Sequence, residues 1–126
     1  MSERNATVLR AAICVAWADG VMKDAERRSI EGILAAADLT AGEKADVRIY
    51  AATPRTLQDL DKLDIAGFTP GERRSALLHA VAIAFADKEY EHAERQTVVA
   101  LAQRLGLASS EAHQIIANAM MRVGGR

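Results

Sequence analysis

Asp19 is followed by Gly20 and, seven residues on, by Glu26; Asp87 and Glu94 repeat the same step further along the chain. Two carboxylates bracketing a tight turn suit one of two chemistries. They can hold a hard divalent cation, with water completing its oxygen shell, or offer a negative face to a basic partner. Asp24, Glu89 and Glu91 put further oxygens beside the two turns. An EF-hand calcium loop is excluded: its first and third ligand positions would fall on Val15 and Trp17, or on Ile83 and Phe85, none of which has a side-chain oxygen. A plainer reading stands beside the functional one. Asp19 and Asp87 would accept backbone N–H bonds in their turns, while Glu26 and Glu94 face the positive ends of the helices that follow.

The other reactive side chains are few. His79 falls in an apolar run and reads as a hydrogen-bonded core histidine, while His92 adjoins the second acidic turn and could add a nitrogen ligand of the kind zinc takes. His113 reads as exposed, and the single cysteine, Cys14, as a small buried hydrophobe. Trp17, Phe85 and Tyr90 are spaced as core or interface aromatics, with core preferred, and Met22, Met120 and Met121 read as core filling, with a small-ligand pocket between helices as the other account. Glu26-Arg-Arg28 and Glu72-Arg-Arg74 read as solvated charge clusters. The chain has no glycine-rich phosphate loop, no Cys-x-x-Cys and no serine with a matched base, so no feature calls for catalysis. A metal-dependent hydrolase using the same acids with His79 or His92 is the alternative.

The elements that must position these residues are helical. Residues 8–47 laid on 76–115 match at Leu9/Leu77, Ala12/Ala80, Ala16/Ala84, Asp19/Asp87, Glu26/Glu94 and Leu39/Leu107, among others. A repeat at fixed offset means two copies of one supersecondary unit. A first helix is expected over 3–19, ended by Asp19-Gly20, with Asp24 capping a second. Thr40-Ala-Gly-Glu43 has the form of a capping box and opens a third helix with Ala45, Ile49 and Tyr50 on its apolar stripe. Thr53-Pro54 is expected to start a short helix that buries Leu57, Leu60 and Leu63. Thr69-Pro-Gly-Glu72 opens a copy of the first helix, running to about Ala86. A further helix over about 93–105 is stopped by Gly106, and the last starts near Ser109. The expectation is an all-α domain of about seven helices spanning residues 1–126. Repeat 1 covers about 8–47, a bridge 48–68 and repeat 2 about 69–121. The first two helices of each repeat would form a pseudo-symmetric four-helix core, packed closely through alanines.

Composition agrees with one globular domain. The chain has 126 residues, half apolar and a quarter charged, with only two prolines. A net charge of −1 argues against a general nucleic-acid binder, which needs a cationic surplus. The start, Met-Ser-Glu-Arg-Asn, lacks a secretory signal pattern. The longest nearly apolar run, Ala76–Ala86, has 11 residues, against the roughly 20 of a membrane span. A cytoplasmic protein without membrane insertion is therefore expected.

Ala16-Trp-Ala-Asp-Gly20 with Glu26, and Ala84-Phe-Ala-Asp87 with Tyr90 and Glu94, resemble the paired signatures of the tellurite-resistance TerB-like domains. They are also similar to the helical N-terminal domain of some DnaJ-like membrane co-chaperones. The resemblance covers roughly residues 5–120. It implies a non-enzymatic, pseudo-symmetric helical module in bacterial stress-response assemblies. It further implies that Asp19, Glu26, Asp87 and Glu94 engage a divalent cation (calcium, magnesium, manganese or zinc) or, with Asp24, Glu89 and Glu91, a protein partner that is free or membrane-associated. A homodimer is left open. One departure is Lys88, which stands where the first repeat has Gly20 and sets a positive charge beside Asp87.

Overall fold

The computed structural model describes the backbone over residues 2–17, 20, 22–84, 86 and 92–124, and side chains over 5–17, 20, 22–56, 58–84, 86 and 96–118. Within these residues the protein is all-helical. It comprises α1 (Ser2–Ala16), α2 (Asp24–Ala36), α3 (Ala41–Ala52), a 3₁₀ helix (Leu57–Lys62), α4 (Pro70–Ala84), α5 (His92–Arg104) and α6 (Ser109–Gly124). Each of α4, α5 and α6 begins 68 residues after α1, α2 and α3 respectively. The internal repeat of the sequence is thus a repeat of helix boundaries.

Local chemistry explains most of those boundaries. At α3, Thr40 Oγ1 accepts the Glu43 N–H at 3.1 Å while Glu43 Oε1 accepts the Thr40 N–H at 2.9 Å. Thr69 and Glu72 make the same reciprocal pair at α4, at 3.1 and 2.7 Å. Each box satisfies two N–H groups that a helix start leaves open. At the end of α5, Gly106 adopts φ +73. There the Leu107 N–H reaches Ala102 O and the Gly106 N–H reaches Gln103 O, the paired closure that a left-handed residue permits.

Three expected boundaries differ. α1 ends at Ala16 rather than at Asp19; Gly20, at φ +83, donates its N–H to Trp17 O. The residue before α2 is Lys23, and Asp24 is already helical. Glu26 Oε1 accepts the Lys23 N–H at 2.9 Å, the N3 half of a capping box, and so fixes the helix start one residue earlier than an Asp24 cap would. Pro54 lies outside any helix: the chain stays extended until Thr56, whose N–H is held by Asp59 Oδ2 at 2.7 Å.

The core is organised around α1 and α4, which share the most extensive helix–helix interface. Ala11, Ala12, Ala16, Ala76, Ala80 and Ala84 are all fully buried, so both helices carry small residues inward and can approach closely. α2 packs on α4 and α5 on α1, so each repeat lends its second helix to the other's first. α3 and α6 also pack on α1 and α4, which makes the core larger than the four helices expected. Leu34, Val47, Leu60, Val98, Leu101 and Leu105 fill the spaces between these layers. On α3 the buried residue is Val47, while Ile49 stands 66% exposed. The short apolar stripe admitted two helical phases, and packing chose the one centred on Val47.

Candidate functional site

Of the acidic turn residues, Asp24 and Glu26 have described side chains; Asp19, Asp87, Glu89, Glu91 and the side chain of Glu94 lie outside the described residues, as do the side chain of His92, Phe85 and Tyr90. Glu26 is buried, with 1% of its surface exposed, and its carboxylate closes the first turn onto the Lys23 N–H. Asp24 is exposed and pairs with Arg27 at 3.2 Å. Trp17, at the other side of the turn, donates its indole N–H to Ala51 O at 2.9 Å and so ties the end of α1 to the end of α3. Met22 is buried beneath the turn. The first turn is therefore anchored at Trp17, Met22 and Glu26.

A second feature lies elsewhere on the bundle. A groove of about 810 Å³ runs between α1, α2 and α4. Asn5 from the start of α1, Asp38 just past the end of α2, and Thr69 and Gly71 at the start of α4 all line it. Those three termini therefore share one end of the molecule. The close of α5 joins them, since Arg73 on α4 donates from Nη1 to Leu105 O at 3.1 Å. α1 and α4 each run about 22 Å from that end, so their last residues, Ala16 and Ala84, lie toward the opposite one.

His79 lines the groove instead of sitting hydrogen-bonded in the core. It is half-buried and makes no hydrogen bond among the described residues. Burial disfavours its charged form and pulls its pKa below the ordinary 6.5. Periodicity could place His79 near the apolar face of α4, but only the fit of α2 against that helix decides whether the ring is covered.

Cys14 behaves as expected of a buried thiol. Its Sγ lies 3.5 Å from the Tyr50 hydroxyl, and burial pushes its pKa up. Burial and the Cys14 contact likewise raise that of Tyr50. Arg55 stacks 3.6 Å from the Tyr50 ring centroid and donates to Tyr50 O. Arg73 donates to Phe68 O and Ala66 O besides Leu105 O, and Arg74 pairs with Glu111 at 3.4 Å. Arg73 therefore holds structure, a role that local sequence does not signal because one of its backbone acceptors lies 32 residues away, whereas the Arg74 pair is a solvated one of the kind expected.

Among the described residues, no group of three or more His, Cys, Asp or Glu side chains is placed to hold a metal ion, and no helix is long and apolar enough to cross a membrane. His79 shares its groove with Asp38 and Glu72, and not with Glu26. Neither the curated proteins nor the solved structures contain a match to the chain. The family described as "Protein of unknown function (DUF533)" matches residues 1–119. With that span covering nearly all of the repeat-built bundle, the chain belongs to the DUF533 family.

Proposed function

We propose that this protein is a non-catalytic module of TerB-like type that captures a protein partner through its two acidic turns, with or without a divalent cation between them. The reading places it in a bacterial stress response of the tellurite or chemical-stress kind. The observation that supports it is the 68-residue repeat in helix boundaries. The repeat makes the Asp19–Glu26 and Asp87–Glu94 segments equivalent in sequence, each following the first helix of its half. α1 and α4 start from one end, so a turn that follows each of them favours a common acidic face at the other. Within that face Glu26 holds the turn through Lys23, and Asp19, Asp87, Glu89 and Glu91 are the groups proposed to meet cation or partner. Glu94 is the residue that matches Glu26 in the second repeat.

Calorimetric titration of chelator-stripped protein with calcium, magnesium, manganese and zinc tests the cation. The expected result is saturable binding to at least one ion, lost in the Asp19→Ala/Asp87→Ala variant while its helical circular dichroism is unchanged. Absence of heat for every ion restricts the proposal to a protein-docking face, read by pull-down from a bacterial lysate with the same variant as control. If the double variant unfolds, or captures the same proteins as the wild type, the turns are structural and the proposal fails.

A further inference from the structure

The groove between α1, α2 and α4 has features that neither the acidic turns nor the fold itself requires. Its volume, about 810 Å³, falls within the range of small-molecule sites. Val8, Leu9, Ile33 and Ala36 give it an apolar wall. Gly32 lies inside α2, where glycine costs about 1 kcal/mol relative to alanine. A Cβ added there would meet nothing within 4 Å. Packing within the chain thus gives no reason for a glycine at this position, and its missing side chain keeps the groove open.

The charged side chains on the groove are of one sign. Asp38 and Glu72 line it at the end where α2 finishes and α4 starts, and no lysine or arginine is among its described lining residues. The carbonyl end of α2 adds negative potential there, against the positive starts of α1 and α4, of which Glu72 offsets the latter. His79 stands two turns along α4 from Glu72, about 10 Å away along the axis.

From this geometry we infer that the groove binds a small amphiphilic cation, with an ammonium head between Asp38 and Glu72 and an apolar tail along Val8, Leu9 and Ile33 toward His79. An anionic amphiphile of the same length would set its charge against two carboxylates. A tail of about eight carbons spans the 10 Å between Glu72 and His79.

Nuclear magnetic resonance titration of the full chain with octyltrimethylammonium, and separately with octanesulfonate, tests this. The cation is expected to bind saturably, shifting the amides of Gly32, Gly71 and Ser75 and the ring signals of His79, and at least tenfold more tightly than the sulfonate. Gly32→Phe should fill the groove and weaken cation binding by tenfold or more with the fold retained, since space is open there. Asp38→Asn with Glu72→Gln, which keeps the cap at Thr69, should remove the preference between the two heads. Equal affinity for both heads, binding unchanged by Gly32→Phe, or no binding would each overturn the inference. So would exclusive binding of a lysine-bearing amphipathic helical peptide, or groove signals that shift on dilution as a dimer separates. None of these outcomes depends on Asp19 or Asp87, so they leave the reading of the acidic turns to its own test.

Discussion

At the residue scale, position on the helix counts for less than what the neighbours leave room for. Glu26 and Glu72 both stand at the third residue of a helix and both accept the N–H of the residue before it. Glu26 is buried in doing so, whereas Glu72 reaches the groove. His79 shows the same dependence. Its folded pKa lies below its unfolded value of about 6.5. The unfolded chain therefore takes up a proton that the folded one refuses as pH falls through 6.5, and stability drops until the folded pKa is passed. Asp38 and Glu72 are the charged side chains that face His79 across the same groove. Urea unfolding at steps from pH 8 to pH 5 should show this loss, at a slope no steeper than about 1.4 kcal/mol per pH unit, the limit for one proton. His79→Phe should flatten it; a profile identical to wild type would show that His79 carries no part of the loss.

At the scale of elements, the helix starts were the most legible part of the sequence because their chemistry is local. Thr40 with Glu43 and Thr69 with Glu72 close their boxes within four residues, and no distant group can change the outcome. Thr69→Ala removes the hydroxyl that holds the Glu72 N–H and should cost about 1 kcal/mol. Thr69→Ser should restore most of that in the same denaturation assay, and a loss shared by Ser would show that the methyl group, not the hydroxyl, matters. The Pro54 region departs from the expected helix start for the complementary reason. Proline at a first helical position is permitted, not required, and Asp59 offers its carboxylate to the Thr56 N–H two residues further on. On α3, Val47 and Ile49 lie on nearly opposite faces, and a short stripe does not choose which of the two is buried.

For the whole molecule, the fold depends on how closely α1 and α4 approach. Six fully buried alanines line the two helices. Replacing Ala80 with Leu inserts three carbons where the interior has no space, so a loss of about 1–3 kcal/mol is expected. The same change at Ala45, exposed on α3, should alter stability by less than about 0.5 kcal/mol. A tolerated Ala80→Leu would mean that the helix pair is less closely packed than its alanines imply. The surface ion pairs contribute little by comparison: Arg48–Glu31 at 3.0 Å and Arg104–Asp61 at 3.3 Å are both solvent-exposed.

Residue types and spacings alone determined the all-α class, the 68-residue repeat, the capped starts of α3 and α4 and the glycine stop after α5. Each rests on interactions between residues near in sequence, or on the self-similarity of the chain. Tertiary structure decided the rest. It set which face of α3 is buried, made α2 and α5 pack across the repeats, turned Arg73 toward carbonyls of distant segments, and left His79 on an open groove. A hydrophobic pattern shows that a face must be covered, whereas the volume of the side chains arriving from other helices determines how completely it is.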